Sequence, residues 1–365
     1  MRSWSLRIGT FFGIEVLVHW TFWILIIWVF LMHFQAGHGW WQGVWGALFV
    51  LALFACVVLH EFGHALTARQ FGVSTKDITL YPIGGIASLE GMPEKPAQEL
   101  AVGLAGPAVN FAIALVLWLY LETTGQTFEL RGILNSHDMT QVPFLWNLLF
   151  ANVVLAVFNL IPAFPMDGGR VFRALISFFT DRIRATRIAA GLGQLLAILF
   201  VFLGFFYNFW LVFIGLFIFL GAGGEATLEL TRKALVGLKV GDALMRRFTL
   251  LNPDDSLGDA ARALLNSQET EFVVADRGRP VGLLGKHDII RGLSERGKDA
   301  LVAEFMTRSF VVLDPETTLE DFFGRVLEKD QPAIVMDGEE LLGLIDRENL
   351  EERLQIQQAM QAGDL

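Results

Sequence analysis

The chain has 365 residues, of which 53% are hydrophobic, a composition too apolar for an ordinary soluble enzyme. Residues 1–236 hold 13 basic and 13 acidic side chains, so the whole formal charge of −10 falls on residues 237–365, where 25 acids face 15 bases. No segment is basic enough to point to a nucleic-acid partner, and a single cysteine, Cys56, excludes an internal disulfide.

An apolar, charge-balanced first part and an acidic second part predict a membrane domain over 1–222, a linker over 223–236 and a soluble domain over 237–365. Six stretches approach the roughly 20 apolar residues that a helix needs to cross the hydrocarbon core: 14–34, 43–69, 98–121, 143–162, 187–205 and 208–222. The first is long and no small-residue cleavage site ends it, so it reads as a span and not a removable leader. Arg2 and Arg7 precede the first span, Arg69, Lys76 and Lys95 lie between the second and third, and Arg170, Arg173, Arg182, Arg184 and Arg187 follow the fourth, while the opposite loops hold only Arg131. The positive-inside rule then predicts a multi-pass plasma-membrane protein with both termini in the cytoplasm. Trp40 and Trp41 fit an aromatic anchor at the far interface or packing between helices.

Between the second and third spans, DITLYPIGGIASLE alternates and carries Gly84 and Gly85, the pattern of a short β hairpin. Such a hairpin lies on the surface or, if it enters the membrane, must be buried in protein or line a wet cavity. Beyond residue 236 an internal repeat begins. VGDALMRRFTLLNPDDSLGDAARALL, EFVVAD and PVGLLGKHDIIRGL are echoed by VAEFMTRSFVVLDPETTLEDFFGRVL, PAIVMD and LLGLIDRENLEERL, giving units at about 238–293 and 300–355. Each reads as strand, helix, two strands, helix, an α/β unit, and two copies predict a fused pair packed on itself.

The chemistry is concentrated in VVLHEFGHALTARQ, residues 57–70. His60 and His64 are four residues apart, so on a helix both imidazoles project from one face and can share a metal ion. Glu61 beside them completes H-E-x-x-H, in which the glutamate is the general base for water at the metal. His60 precedes Arg69 by nine residues, about 14 Å of helix, a depth at which hydrogen-bonded structural histidines have little reason to be. A catalytic zinc takes a third protein ligand, and the best candidate is Asp167 in NLIPAFPMDGGR. There Pro162 and Pro165 break the fourth span, and Gly168 and Gly169 are expected to permit a tight turn around the aspartate. The competing reading of Asp167 is a helix N-cap for GGRVFRALI.

HEFGH, YPIGGIA, GPAVN at 106–110 and NLIPAFPMDGG together resemble the site-2 protease family of intramembrane zinc metalloproteases, and the C-terminal repeats resemble a pair of CBS domains. The resemblance spans nearly the whole chain. It implies a polytopic α-helical membrane domain with a short β hairpin, followed by an α/β CBS pair. It also implies an enzyme that hydrolyses a peptide bond in or near a transmembrane segment of another membrane protein, the chemistry of regulated intramembrane proteolysis. Carried over by position, His60, His64 and Asp167 resemble the ligands of one zinc ion per chain and Glu61 the catalytic base. Asn159, Gly84 and Gly85 resemble substrate-handling elements; Asn110, inside GPAVN, reads either as a buttress of the site or as part of a stretch explained by close helix packing at Gly106. PMDGG departs mildly from the family, which more often has leucine before the aspartate.

CBS pairs resemble adenine-nucleotide sensors, many with Ser/Thr-x-x-Asp near the last strand. Here GKHD at 285–288 has glycine in the hydroxyl position and DREN at 346–349 has asparagine in the aspartate position, leaving Asp288 as the matching residue, which also reads as a solvated helix cap. Binding of ATP or AMP therefore stands beside a purely structural role or a homodimer formed through the pair. His19, His33, His38, His137 and His287 carry no assigned role. Two other classes compete with the protease: a CBS-regulated channel or transporter, which predicts polar residues spread through several spans, and a non-cleaving metal scaffold, which has no use for Glu61.

Overall fold

The computed structural model describes residues 4–35, 39–89, 91–93, 95–126, 143–267, 269–319, 322, 332–350, 352, 353 and 356. Arg2, His38, Arg131, His137 and most of the first helix expected in the second repeat lie outside the described residues. The chain divides into two compact units, Met1–Glu229 and Leu230–Leu365.

The first unit combines apolar helices with one small sheet. Strands β1 (Ser5–Phe11), β2 (Ile14–His19), β3 (Thr75–Tyr81) and β4 (Gly84–Leu89) lie in that spatial order. The β2–β3 pair is parallel and the other two are antiparallel. Helices α1 (Trp20–Gln35) and α2 (Trp40–Gln70) form the connection that a parallel pair requires. They are followed by α3 (Pro96–Thr123), α4 (Phe144–Asn159), α5 (Asp167–Ser177), α6 (Arg182–Phe206) and α7 (Trp210–Leu235).

The expected hairpin at Gly84 is present as β3–β4, but the expected first span is cut in two. Its first six residues, IEVLVH, are β2, with Val16 opposite Ile78 and Val18 opposite Leu80. The run is apolar because the strand is buried in protein, and Glu15, paired to Arg7 at 3.2 Å, marks residues outside the hydrocarbon. Four helices, α2, α3, α6 and α7, are long and apolar enough to cross a membrane. The apolar helices α1 and α4 have 16 residues each, about 24 Å, short of a full hydrocarbon core. Helix α7 also continues through the residues expected to be a linker, because EATLELTRKAL is rich in strong helix formers.

Packing aims the sheet at α2. Ile14, Val16 and Ile78 form one cluster with Phe62 and Ala65, and Val18 and Leu80 another with Phe22 and Phe54. On its other side α2 meets α3 through small residues: a Cβ at Gly63 would come within 2.8 Å of the Ala105 carbonyl oxygen. The HEFGH segment is thus held between a sheet and a helix.

The second unit carries the repeat as two three-stranded sheets of the same layout. Strands β5 (Leu250–Leu251), β6 (Glu271–Asp276) and β7 (Arg279–Gly285) form one, and β8 (Val311–Leu313), β9 (Ala333–Asp337) and β10 (Glu340–Ile345) the other. Helices α8 (Val240–Ala243), α9 (Leu257–Asn266), α10 (Lys286–Arg296) and α11 (Val302–Phe305) complete the described elements. The repeats exchange their leading segments: Val302 and Phe305 pack in the core with Phe272 and Leu284, whereas Val240 and Ala243 pack with Ala333 and Ile345. Neither repeat closes its own core, which explains why they occur as a pair.

Candidate active site

His60 and His64 lie in the C-terminal half of α2, one turn apart and both buried. Their Nε2 atoms are 3.1 Å from each other, and Asp167 Oδ2 lies 3.2 Å from His60 Nε2 and 3.1 Å from His64 Nε2. Two ring nitrogens and a carboxylate oxygen thus form a nearly equilateral triangle. Ligand atoms about 2.0–2.1 Å from a tetrahedral zinc are separated by roughly 3.3 Å, so the triangle matches the donor set and spacing of such a centre. Among the described residues this is the one group of three such side chains whose ligand atoms lie within 4.8 Å of one another. Asp167 opens α5 but does not cap it: the N-cap is Met166, which makes no side-chain cap bond.

The orientation of both imidazoles is set from behind. His64 Nδ1 is 2.7 Å from the Val102 carbonyl oxygen, which only accepts, so Nδ1 carries the hydrogen and the Nε2 lone pair faces Asp167. His60 Nδ1 is 2.5 Å from Asn110 Oδ1. Asn110 Nδ2 in turn donates to Asn152 Oδ1 at 2.8 Å, and Asn152 Nδ2 donates to the Leu148 carbonyl at 2.8 Å. Every donor in this chain points away from His60, so His60 also presents its Nε2 lone pair to the triangle. Asn110 and Asn152 are fully buried, and the chain fixes α2, α3 and α4 together at the site.

Two of these contributors escaped the sequence reading. Asn152 sits in the apolar run FANVVLAVF, and an isolated amide in such a run is itself a signal. Gly106 was read as helix packing, but a Cβ there would lie 2.2 Å from His64 Nε2 and 2.6 Å from His60 Nε2, inside the space the two nitrogens face. Gly106→Ala is expected to weaken zinc binding about 10–100-fold, the range seen when ligands are displaced by their surroundings, measured as zinc retained per protein on dialysis.

Gly168 and Gly169 also differ from expectation. Both are helical residues of α5 with ordinary backbone angles, not the corner of a turn. Their lack of a side chain lets the 160–164 backbone close in: a Cβ would meet the Ile161 oxygen at 2.2 Å from Gly168 and the Ala163 carbon at 2.6 Å from Gly169. That contact seats the start of α5 under the histidines.

Glu61 is half-buried on the neighbouring face of α2, against β4: a Cβ at Gly85 would touch its Cγ at 2.9 Å. Gly84 opens β4, and Asn159 ends α4 just ahead of the loop to Asp167. The other described histidines are elsewhere. His19 Nδ1 bonds Thr21 Oγ1 at 2.7 Å, His33 Nδ1 donates to the Val29 carbonyl at 2.9 Å, and His287 is exposed in the second unit.

The sequence matches Peptidase family M50 over residues 48–204 and the CBS domain over 240–295 and 302–355. It is 30% identical, over 95% of both chains, to a zinc metalloprotease of Methanocaldococcus jannaschii. Among solved structures, the site-2 protease from M. jannaschii matches at 35% identity with a TM-score of 0.45, covering 61% of this chain and 95% of that one. The CBS-pair protein CBSX2 from Arabidopsis thaliana matches at 27% identity with a TM-score of 0.31, covering 34% of this chain and 99% of that one. The chain belongs to peptidase family M50, the zinc metalloproteases of the site-2 protease type, with a CBS-domain pair following the peptidase unit.

Proposed function

We propose that His60, His64 and Asp167 hold the zinc ion and that Glu61 is the general base for hydrolysis of a peptide bond in a transmembrane segment of a membrane-protein substrate. The observation that supports this reading is the triangle of His60 Nε2, His64 Nε2 and Asp167 Oδ2, with both lone pairs turned inward by Asn110 and Val102. Zinc bound there supplies a Lewis acid for the scissile carbonyl and for water. Glu61 takes the proton of the attacking water and returns it to the departing amide nitrogen, which leaves as an amine when the C–N bond breaks. A substrate helix must first unwind, because its own hydrogen bonds shield the peptide bond. Among the described residues β4 pairs with β3 alone, and its Gly84–Gly85 end lies against Glu61, so the unwound chain adds to β4 as a fifth strand. Asn159, at the mouth of the loop to Asp167, takes a polar contact to the same segment. The basic residues bordering the spans support a plasma-membrane protein with both termini in the cytoplasm. Treatment of the purified protein with 1,10-phenanthroline is expected to abolish cleavage of single-span membrane proteins and of unfolded casein, and zinc added back to restore it. Cleavage that survives complete zinc removal would refute the proposal.

For the CBS pair we propose an adenine nucleotide carrying few phosphates, AMP in preference to ATP. Gly285 and Asp288 stand where the nucleotide pattern has its hydroxyl and carboxylate, and a Cβ at Gly285 would lie 2.7 Å from Glu271 Oε1. Burial, with Asp288 and Asp346 nearby, pushes the Glu271 carboxyl up to about 7. As an acid with a raised value it is neutral below pH 7 and charged above, so a phosphate beside it is repelled only at the higher pH. One such pair at partly screened range amounts to about 1 kcal/mol, roughly fivefold in affinity. Calorimetric titration of the full chain is expected to show tighter AMP binding at pH 6 than at pH 8, weaker ATP binding throughout, and a flattened pH profile in Glu271→Gln.

A further inference from the structure

Arg173 lies on α5, six residues after Asp167, and its side chain is 1% exposed. Its Nε and Nη2 donate to Glu99 Oε1 at 2.7 and 2.5 Å, and Nη1 donates to Glu225 Oε1 at 2.8 Å with Glu229 Oε2 at 3.9 Å. Arg182, first residue of α6, joins the same carboxylates, reaching Glu99 Oε2 at 3.1 Å and Glu229 Oε1 at 2.7 Å. It also donates to the Pro93 carbonyl at 3.2 Å. Two guanidinium groups and three carboxylates from α3, α5, α6 and α7 thus close one buried cluster. On sequence, both arginines served only as topology signals, and nothing in the hydrolytic chemistry uses them.

Such a cluster is poorly explained as a source of stability, since buried ion pairs are often replaced by apolar side chains without loss. Its distinctive property is registry: only one relative placement of the four helices satisfies every fork of Arg173 and Arg182. Helix α5 has 11 residues and moves as one short rod, with Asp167 at its first position. The Arg173 guanidinium also lies 5.1 Å over the ring of Phe164, which is fully buried in the loop three residues ahead of Asp167. Both the helix behind the aspartate and the loop before it are therefore indexed by one side chain. Two of its partners, Glu225 and Glu229, sit one turn apart on α7.

We propose that Arg173 is a positioning residue through which the buried charge cluster with Glu99 and Glu225 sets the placement of Asp167. The proposal rests on Asp167 being a metal ligand. Loss of the Glu225 carboxylate leaves Arg173 tied chiefly to Glu99, and α5 with its leading carboxylate shifts with the arginine.

The test uses the full chain in lipid nanodiscs, loaded with cobalt(II), whose visible absorption reports coordination geometry, and unfolded casein as the cleavage probe. Arg173→Met combined with Glu225→Gln keeps the net charge of the cluster, and Glu225→Gln alone loosens only the α7 side. Both are expected to alter the cobalt spectrum and to lower kcat, by about tenfold or more in the double variant, with KM within twofold of the parent. Arg173→Lys, which keeps charge but lacks the fork, should fall between. Parental spectra and kcat in the folded variants would overturn the proposal, and if the double variant does not fold, Glu225→Gln decides by the same two readouts. A parental cobalt spectrum in Asp167→Ala would instead refute the ligand assignment, whatever the Arg173 variants do.

Discussion

Replacing Glu61 with glutamine is expected to lower cleavage by at least about 10²-fold while zinc content stays at the parental level. The side chain keeps its size and its contact with Gly85, and His60, His64 and Asp167 are untouched, so the substitution removes a proton acceptor and little else. Loss of activity accompanied by loss of zinc would mean that Glu61 supports the metal centre and does not act on water. Near-normal turnover would remove the general-base assignment altogether. Parallel zinc analysis and casein cleavage on the two proteins separate these outcomes.

Asp167→Ala is expected to empty the site of zinc and abolish activity together. The substitution deletes one corner of the triangle and leaves two histidines, below the three protein ligands usual at a catalytic zinc. A capping role would instead cost about 1 kcal/mol of stability and leave the metal in place. The bonding favours the first outcome, since Oδ2 faces both imidazoles and Met166 occupies the cap position. Zinc-to-protein stoichiometry after gel filtration, with a melting curve for each protein, checks it.

The pairing of His60 with His64 was legible because the i, i+4 relation is local and any helix enforces it. Asp167 was legible for a related reason: Pro162, Pro165 and the following glycines mark an interruption in an apolar run, and a carboxylate at such a place invites explanation. What supports these side chains was not legible. The link from Asn110 to Asn152 joins residues 42 positions apart, and Gly106 matters only because α3 crosses α2 at the two histidines. Arg173 likewise read as a loop charge, and only the converging carboxylates of two other helices, α3 and α7, explain its burial. In the fold, the first strand pair was lost because IEVLVH is as apolar as the helix after it, and hydropathy cannot separate a strand buried in protein from a helix in lipid.

The two short helices have a consequence for the surrounding lipid. Helices α1 and α4 both pack beside α2, yet each falls some 6 Å short of a hydrocarbon core about 30 Å thick. Tilting makes that deficit worse, so the shortfall has to be met by a locally thinner bilayer or by flanking residues that reach to the interface. A bilayer thinned there would bring headgroups and their water closer to His60 and His64 and reduce the depth that hydrolysis must overcome. An incoming transmembrane helix of ordinary length becomes too long for its surroundings at the same place, a mismatch that favours loosening its end into the extended chain β4 can pair with. With such thinning, helix length, set by where the apolar runs stop, would help to hydrate the chemistry and to unwind the substrate.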